Sequence, residues 1–363
     1  MTLGQPAPHL VVSISGHGFG HVSQTAPVLN LLHQLMPQLR ITVRSAVPLK
    51  HLRSRIHPPF AHMQSIGDIG MIMSSALDVS KSASVAAYRA FHENWDAQVA
   101  AEARLLSDLG ADAVFSNVGY LPLAGAQMAG IANAAMCSLN WFDIYRHYAG
   151  GDAIAAQMLS GYMGADVFFR TTPGMAMESL PNLVEIAPIA ALGHDRRDEL
   201  DRQLRLSKDE KLVLVSMGGI DSRLPIERWP RIDGVRWLVQ DSWQVDHPDA
   251  IVLESLAMDF RDLLASSDAL LCKPGFGSFV EAACSGTPIL YADRPDWPES
   301  PALVAWLQRN GISREIRREQ LQDGNIAQEL SVLWEMPPVT VPQSNGAARV
   351  AEWLLHKLSL KGG

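Results

Sequence analysis

Short apolar runs alternate with longer amphipathic stretches along most of the chain. In the first half, four short runs rich in apolar or β-branched side chains predict β-strands, and helical patterns lie between them, the longest at residues 84–109. The predicted strands are HLVVSIS (residues 9–15), ITVRSA (41–46), AVFSN (113–117) and AAMCSLN (134–140). Strands that alternate with helices favour a parallel sheet covered on both faces.

The second half repeats this alternation. Its predicted strands are KLVLVSMGG (residues 211–219), VRWLVQ (235–240), DALLCK (268–273) and TPILYAD (287–293). The pattern therefore predicts an α/β protein with two doubly wound, Rossmann-like domains. Turn residues cluster at 171–182, before a charged helix predicted at 195–206, so we place the domain boundary near Ile186.

A last amphipathic helix follows a proline-rich stretch. In AARVAEWLLHKL, the apolar residues Val350, Trp353, Leu354 and Leu358 recur at helical spacing, so this stripe needs a surface to cover it. We therefore divide the chain into three parts. These are a first domain (residues 1–185), a second domain (186–340), and a linker with the C-terminal helix (341–363).

Composition narrows the classes of function. The 363 residues are 47% apolar and 19% charged, and 30 Lys and Arg against 38 Asp and Glu give a formal net charge of -8. Basic residues form only short pairs, which argues against nucleic acid as a partner. Three cysteines at unrelated spacings indicate a reducing compartment, and no window of about 20 residues is apolar enough to span a bilayer. We expect a cytoplasmic protein with no transmembrane segment.

The segment GHGFGH lies where the first strand meets the first helix. Gly16, Gly18 and Gly20 let a ligand approach the backbone, and the helix N-terminus attracts an anion. His17 and His21 are candidate general bases, because imidazole accepts a proton near neutral pH. The spacing is neither the dinucleotide fingerprint G-x-G-x-x-G nor a P-loop. The alternative is that both histidines cap the helix or fill the loop.

A second glycine loop, KPGFGSFVE, begins at Lys273 and also joins a strand to a helix. Gly275, Gly277 and the Ser278 hydroxyl suit phosphate oxygens held at a helix N-terminus. Glu281 lies one turn further along, where a carboxylate can accept two hydrogen bonds from a vicinal diol such as that of a ribose. The alternative is a capping box formed by Ser278 and Glu281 at S-x-x-E spacing.

Two more loops follow strands of the second half. Gly218 and Gly219 are expected to face the second glycine loop at the edge of the sheet where ligands of open α/β sheets bind. In DRPDWPES, Asp296 and Glu299 can accept hydrogen bonds from sugar hydroxyls, and Arg294 can offset phosphate charge. A tight turn without a ligand and a solvated proline-rich loop are the respective alternatives.

No metal site and no cofactor are predicted. The sequence contains no D-x-D, and no H-x-x-x-H pair has a nearby acidic partner. The nucleophile elbow G-x-S-x-G of serine hydrolases does not occur either.

The second glycine loop and its surroundings resemble a known family. DALLCKPGFGSFVEAACSGTPILYADRPDWPE is similar to the nucleotide-sugar-binding segment of GT-B glycosyltransferases, including the enzyme that adds N-acetylglucosamine to lipid I. Their pattern G-x-x-[ST]-x-x-E-x-x-x-x-G-x-P is matched at Gly275, Ser278, Glu281, Gly286 and Pro288. The resemblance implies that this loop contacts the donor diphosphate and that the glutamate binds the ribose.

A closer resemblance covers nearly the whole chain. The loop GHGFGH, the segment NWFDIY at residues 140–145, the loop KPGFGS and the segment RPDWPE occur in the order typical of the glycosyltransferase-like N-terminal region of L-arabinokinases and their stand-alone bacterial relatives. The resemblance implies a GT-B fold of two Rossmann-like domains. It also implies that the C-terminal helix crosses back to pack on the first domain.

These features lead to an expected function. We expect a metal-independent, inverting glycosyltransferase. Its donor is expected to be an NDP-sugar in which the sugar is linked to UDP, and its acceptor a small molecule or a lipid-linked compound. His21 is expected to take the acceptor's proton, with Asp143 orienting the ring. Two alternatives stay open: an NDP-sugar epimerase or hydrolase on the same fold, and a non-catalytic sugar-nucleotide-binding sensor or partner module.

Overall fold

The computed structural model describes residues 7–75, 77–219 and 223–360. The chain divides into two compact units. Unit 1 comprises the described parts of Met1–Ser74, Val79–Ile189 and Asn345–Gly363, and unit 2 comprises those of Ser75–Asp78 and Ala190–Ser344. Within the described residues, no helix is both long enough and apolar enough to cross a membrane.

Strands and helices follow one another in chain order. The strands are β1 (His9–Ile14), β2 (Arg40–Ser45), β3 (Ala61–Met63), β4 (Ala113–Asn117), β5 (Ala132–Cys137), β6 (Val167–Thr171), β7 (Leu183–Ile186), β8 (Lys211–Ser216), β9 (Val235–Val239), β10 (Ala250–Val252), β11 (Ala269–Cys272), β12 (Ile289–Ala292) and β13 (Ser313–Ile316). The helices are α1 (Gly20–Leu35), α2 (Leu49–Arg55), α3 (Lys81–His92), α4 (Trp95–Asp108), α5 (Tyr120–Met128), α6 (Trp141–Ala149), α7 (Ala153–Met163), α8 (Arg197–Leu204), α9 (Phe260–Ala265), α10 (Phe276–Ser285), α11 (Ser300–Asn310), α12 (Arg318–Asp323), α13 (Ala327–Glu335) and α14 (Gly346–Ser359).

Each unit is built on one parallel sheet. In unit 1 the described strands are ordered β3-β2-β1-β4-β5-β6-β7, and in unit 2 they are ordered β10-β9-β8-β11-β12-β13. The central strands β1, β4, β8 and β11 are buried along almost their whole length, as expected for strands covered by helices on both faces. The predicted α/β fold with two doubly wound sheets is confirmed.

The C-terminal helix α14 belongs to unit 1. Leu354 and Leu358 are fully buried in one apolar cluster with Leu29 of α1, and Trp353 packs half-buried at its margin. A β-carbon on Gly346 would lie 2.0 Å from the carbonyl oxygen of Ala187, so only glycine lets the helix begin this close to the chain that follows β7. The stripe predicted from the sequence is thus covered, and the helix returns to the first domain as predicted.

Some elements differ from the sequence prediction. The helical stretch at 84–109 is two helices, α3 and α4, because Asn94 leaves the helical conformation with φ -124° and ψ 48°. The charged helix is shorter than predicted and spans Arg197–Leu204. The strands β3, β6, β7, β10 and β13 were not predicted.

Candidate functional site

The first glycine loop leads from β1 into α1 at the carboxyl edge of the unit 1 sheet. Gly18 has φ +81°, a conformation that favours glycine, and a β-carbon on Gly16 would lie 3.2 Å from Ala46 Cβ. The helix begins at Gly20, and Phe19 at its N-cap offers no capping side chain. The first backbone N–H groups of α1 therefore have no side-chain cap.

His21 lies in the first turn of α1 and is buried. Its Nδ1 lies 2.8 Å from Asn117 Oδ1, and Asn117 Nδ2 donates to Gln24 Oε1 at 3.2 Å. Because Asn117 Oδ1 can only accept, Nδ1 of His21 donates, which leaves Nε2 as the unprotonated nitrogen. Burial lowers the pKa of His21 to about 4, so the ring is neutral at neutral pH.

His17 lies on the glycine loop itself and is half-buried. Its ring meets the Trp141 ring edge-on, with 5.0 Å between centroids, and His21 lies 5.8 Å from the same indole. On another side, a β-carbon on Gly70 would lie 2.8 Å from His17 Cβ. The structure thus brings His17, His21 and Trp141 together.

Asp143 does not orient His21 as we predicted. Its backbone N–H donates to Asn140 Oδ1 at 2.7 Å, and its Oδ2 accepts from Asn140 Nδ2 at 2.8 Å. Its Oδ1 also accepts from Arg146 at 3.3 Å. The physical reason is its position as the third residue of α6, from which a carboxylate reaches back to the helix N-cap. The partner of His21 is Asn117, an amide rather than a carboxylate.

Asp68 is a candidate functional residue that sequence reasoning missed. It lies in the loop after β3, is 6% exposed, and accepts a hydrogen bond from Ser15 Oγ on Oδ1 at 2.8 Å. The Trp141 side chain and the Gly70 backbone also hydrogen-bond to this carboxyl group. Burial raises the pKa of Asp68 to about 6, against the opposing effects of Ser15, the Trp141 side chain and the Gly70 backbone. The sequence feature that could have indicated this residue is an aspartate flanked by glycines, in the segment GDIG (residues 67–70).

In unit 2, the second glycine loop leads from β11 into α10. The N-cap is Gly275, which offers no side chain, so Gly277 and Ser278 fall in the first turn of the helix. The alternative of a capping box is wrong, because Ser278 lies inside the helix rather than at its N-cap. Glu281 lies in the second turn and is buried. The N-terminal N–H groups of α10 are therefore available to an anion.

Lys273 lies between β11 and this helix. Burial, followed by the positive charge of Arg294, lowers its pKa to about 8, and Glu299 opposes the shift. A β-carbon on Gly218 would lie 3.6 Å from Lys273 Cε, and Gly218 has φ +80°. The paired strands β8 and β11 thus deliver Gly218 and Lys273 to one sheet edge. Gly219 is half-buried beside Gly218.

The loop after β12 is largely buried and held by its own hydrogen bonds rather than exposed to solvent. Arg294 is buried, its Nε donates to the carbonyl oxygen of Leu77 at 3.0 Å, and its guanidinium lies 4.2 Å from the centre of the Trp297 ring. Glu299 is also buried and accepts from Trp297 Nε1 at 3.1 Å. The solvated-loop alternative is therefore wrong for Arg294 and Glu299, whereas Asp296 is exposed.

Each unit therefore gathers polar groups at the carboxyl edge of its sheet, where open α/β sheets bind ligands. In unit 2 these groups are two cations, the two buried carboxylates of Glu281 and Glu299, and an uncapped helix N-terminus. In unit 1 they are two histidines, an aspartate and an indole. Among the described residues, no group of three or more His, Cys, Asp and Glu side chains is placed to hold a metal ion, and the three cysteines are free thiols.

Comparisons with known proteins agree with this architecture. No family model matches the chain. The chain is 24% identical over 362 residues to L-arabinokinase of Arabidopsis thaliana, which covers 97% of this chain and 35% of the arabinokinase. It is 23% identical over 277 residues to an uncharacterized glycosyltransferase of Methanopyrus kandleri, which covers 70% of this chain and 78% of that protein. The chain thus spans about a third of the arabinokinase's length.

Solved structures of similar fold cover almost the whole chain. The glycotransferase of kitacinnamycin has a TM-score of 0.59 at 14% identity, with 98% of this chain and 96% of that chain covered. A putative UDP-N-acetylglucosamine 2-epimerase of Listeria monocytogenes scores 0.57 at 12% identity, with 98% and 97% covered. MurG of Acinetobacter baumannii scores 0.51 at 15% identity, with 96% and 99% covered. The fold is that of the GT-B glycosyltransferases, and the predicted resemblance is confirmed.

Proposed function

We propose that the protein is a glycosyltransferase that moves a sugar from an NDP-sugar, UDP-linked, to a hydroxyl acceptor in one inverting displacement. The observation that carries this proposal is the group at the carboxyl edge of unit 2. There a half-buried lysine, with a second cation nearby, lies beside a helix whose N-terminus has no capping side chain. Such a group suits a diphosphate, because ionised donors and N–H groups in a low-dielectric site bind phosphate oxygens strongly.

Donor binding in unit 2 follows from these positions. Lys273 binds the diphosphate as a point charge, and the N–H groups of the first turn of α10, with the Ser278 hydroxyl, bind its oxygens. Gly218 lies opposite Lys273 Cε, where the absence of a side chain leaves room for the ligand. Glu281 accepts hydrogen bonds from the ribose hydroxyls, the role that the family resemblance implies.

Departure of the nucleotide needs no metal ion in this proposal. The leaving group gains negative charge as its bond to the sugar breaks, and preorganised donors aimed at that charge stabilise the transition state. Lys273 and the α10 N-terminus are such donors. In unit 1, the unprotonated Nε2 of His21 is the nitrogen that would accept the acceptor's proton in this proposal.

A second candidate function, an NDP-sugar epimerase, is favoured by one observation. The fold resembles that of a putative UDP-N-acetylglucosamine 2-epimerase about as closely as that of a glycosyltransferase, with TM-scores of 0.57 and 0.59. The two activities differ in their products: a transferase releases a nucleoside diphosphate and an epimerase returns an altered NDP-sugar. A binding module would do neither.

The experiment that tests the donor site compares two lysine variants. We expect Lys273→Met to weaken the binding of UDP-sugars at least tenfold in isothermal titration calorimetry with excess chelator, because a charge-assisted contact contributes about 1.5–3 kcal/mol. Lys211→Met is the matched control, since Lys211 begins β8 at the opposite sheet edge and pairs with Asp268 at 3.0 Å. Equal affinities in both variants would contradict the assignment of the donor site to this edge.

A further inference from the structure

The turn Ser75–Asp78 belongs to unit 2, although the chain on either side of it belongs to unit 1. The Ser75 hydroxyl donates to Asp78 Oδ2 at 2.6 Å and accepts two backbone N–H groups of the turn, each at 3.1 Å. Next to the turn, Met73 and Val79 pair as an antiparallel bridge. The turn is therefore held by its own hydrogen bonds and closed at its base, which fixes the direction of its oxygen atoms.

Two arginines join this turn to the rest of unit 2. The side chain of Leu77 is half-buried against an apolar cluster built on β8, β9 and β11, and its carbonyl oxygen accepts from Arg294 Nε at 3.0 Å. Asp78 Oδ1 accepts from Arg318 Nη1 at 2.8 Å, and Arg318 Nε donates to the carbonyl oxygen of Asp293 at 3.3 Å. The turn thus contacts the loop after β12 and the start of α12.

Arg294 needs such support because it lies near a second cation. After the larger effect of burial, its positive charge lowers the pKa of Lys273, and the two like charges repel each other. The Arg294 guanidinium is buried, and its centre lies 4.2 Å from the centre of the Trp297 ring. The Leu77 carbonyl oxygen and the Trp297 ring therefore hold Arg294 against the repulsion.

The carboxylate of Asp78 supplies the opposite charge. Hydrogen bonds from Ser75 and then from Arg318 lower the pKa of Asp78, and the charge of Arg294 acts in the same direction. Asp78 is therefore ionised at neutral pH and attracts both arginines. Because like charges separate where no opposite charge holds them, removal of this carboxylate should let Arg294 move away from Lys273.

We propose that Asp78 is a positioning residue of the donor site, an inference that rests on the proposed function. Together with the Leu77 carbonyl oxygen, it holds Arg294 where its charge adds to that of Lys273. Two cations at a fixed separation attract a diphosphate more strongly than one, and holding them before the ligand arrives lowers the free-energy cost of binding. Asp78 acts through Arg294 and does not have to touch the nucleotide.

The first test measures UDP-sugar affinity by isothermal titration calorimetry at pH 7. We expect Asp78→Ala and Ser75→Ala each to weaken binding by about three- to tenfold, and Asp78→Glu, which keeps the carboxylate, to recover most of the loss. Glu210→Ala is the matched control, because Glu210 pairs with Arg236 at the same distance of 2.8 Å, and Arg236 is 35% exposed against 36% for Arg318. The control should keep both the affinity and its pH dependence.

The second test separates positioning from a general loss of stability. Burial is the main cause of the lowered pKa of Lys273, about 8; Arg294 lowers it further, whereas Glu299 and Cys272 oppose the shift. Wild-type affinity should therefore fall as pH rises through about 8. In Asp78→Ala, Arg294 moves away and that pKa rises, so the fall should begin at least about half a pH unit higher. Destabilisation alone would not move the fall in this direction.

The remaining outcomes separate this inference from the proposed function. If Lys273→Met weakens binding but Asp78→Ala binds like the wild type, the donor site stands and Asp78 does not position it. The same holds if Asp78→Ala weakens binding without moving the alkaline fall, or if Glu210→Ala weakens it equally. If no UDP-sugar binds, or if Lys273→Met and Asp78→Ala both leave its affinity unchanged, the proposed donor site itself is contradicted.

Discussion

The protonation of Lys273 is expected to be coupled to nucleotide binding. Its pKa of about 8 means that the free protein carries this lysine partly neutral in mildly alkaline solution. An anionic diphosphate placed beside it favours the charged form, so binding raises this pKa and takes up a proton. The phosphates of a nucleotide sugar themselves have no proton to lose in this range. Any pH dependence of binding in this range therefore arises from a titrating group of the protein.

We predict that UDP-sugar affinity is constant below about pH 7.5 and falls as pH rises through 8, by up to about tenfold per pH unit. Calorimetry at pH 8 in two buffers of different ionisation enthalpy should show the proton uptake directly. Lys273→Met should bind weakly at every pH and show no uptake. Affinity of the wild type that does not change between pH 6.5 and 9 would contradict the lowered pKa of Lys273, and wild-type affinity of Lys273→Met would show that Lys273 does not contact the diphosphate.

The residues that could be predicted are those that share a motif with a glycine loop. His21, Lys273 and Ser278 are candidates from the sequence because a glycine-rich turn between a strand and a helix marks the ligand edge of a parallel sheet. Asp68 could not be predicted in this way, since only the folded loop reveals that its carboxyl group is buried beside Ser15 and Trp141. Asn117, the partner of His21, lies 96 positions away in the sequence.

At the scale of elements, the loop after β3 decides where the carboxyl group of Asp68 lies. Gly70 has φ +62°, and a β-carbon there would lie 2.8 Å from His17. Gly110 offers a comparison, because it has φ +63° and a β-carbon there would meet no heavy atom within 4 Å. Substitution by alanine strains the backbone equally at both sites, but only Gly70→Ala displaces a neighbour.

We predict that Gly70→Ala and Gly110→Ala each lose about 1–2 kcal/mol of stability from the left-handed backbone conformation. Only Gly70→Ala should lower turnover of UDP-sugars, by tenfold or more, with donor affinity unchanged. Chemical denaturation and UDP release, measured on both variants, provide the comparison. Equal turnover in the two variants would mean that the loop does not position a reacting group.

Elements were predictable where their pattern was long enough. The central strands of both sheets are continuous apolar runs between turn residues, and they were found. The strands β3 and β10 have three residues each, too few for an apolar run to stand out. The break between α3 and α4 was missed because the apolar spacing continues across Asn94.

The whole molecule consists of two units, each built on one parallel sheet. The alternation of strands and helices predicted both sheets, because strands buried on both faces read as continuous apolar runs. The return of α14 to unit 1 was implied by the family resemblance and agrees with the apolar stripe of that helix. The contribution of Ser75–Asp78 to unit 2 could not be predicted, since it depends on contacts such as that of Leu77 with Arg294. Solved structures at 12–15% identity share the fold and leave the donor and acceptor to be measured.

The proposed activity of the whole molecule is the transfer of a sugar from a nucleotide donor to an acceptor. The most direct measurement is to incubate the purified protein with a panel of NDP-sugars and candidate acceptors in excess chelator, and to follow nucleoside diphosphate and sugar by mass spectrometry. We expect stoichiometric release of nucleoside diphosphate together with a glycosylated acceptor, or with free sugar when water replaces the acceptor. An NDP-sugar returned with altered sugar stereochemistry, or bound without turnover, would contradict it.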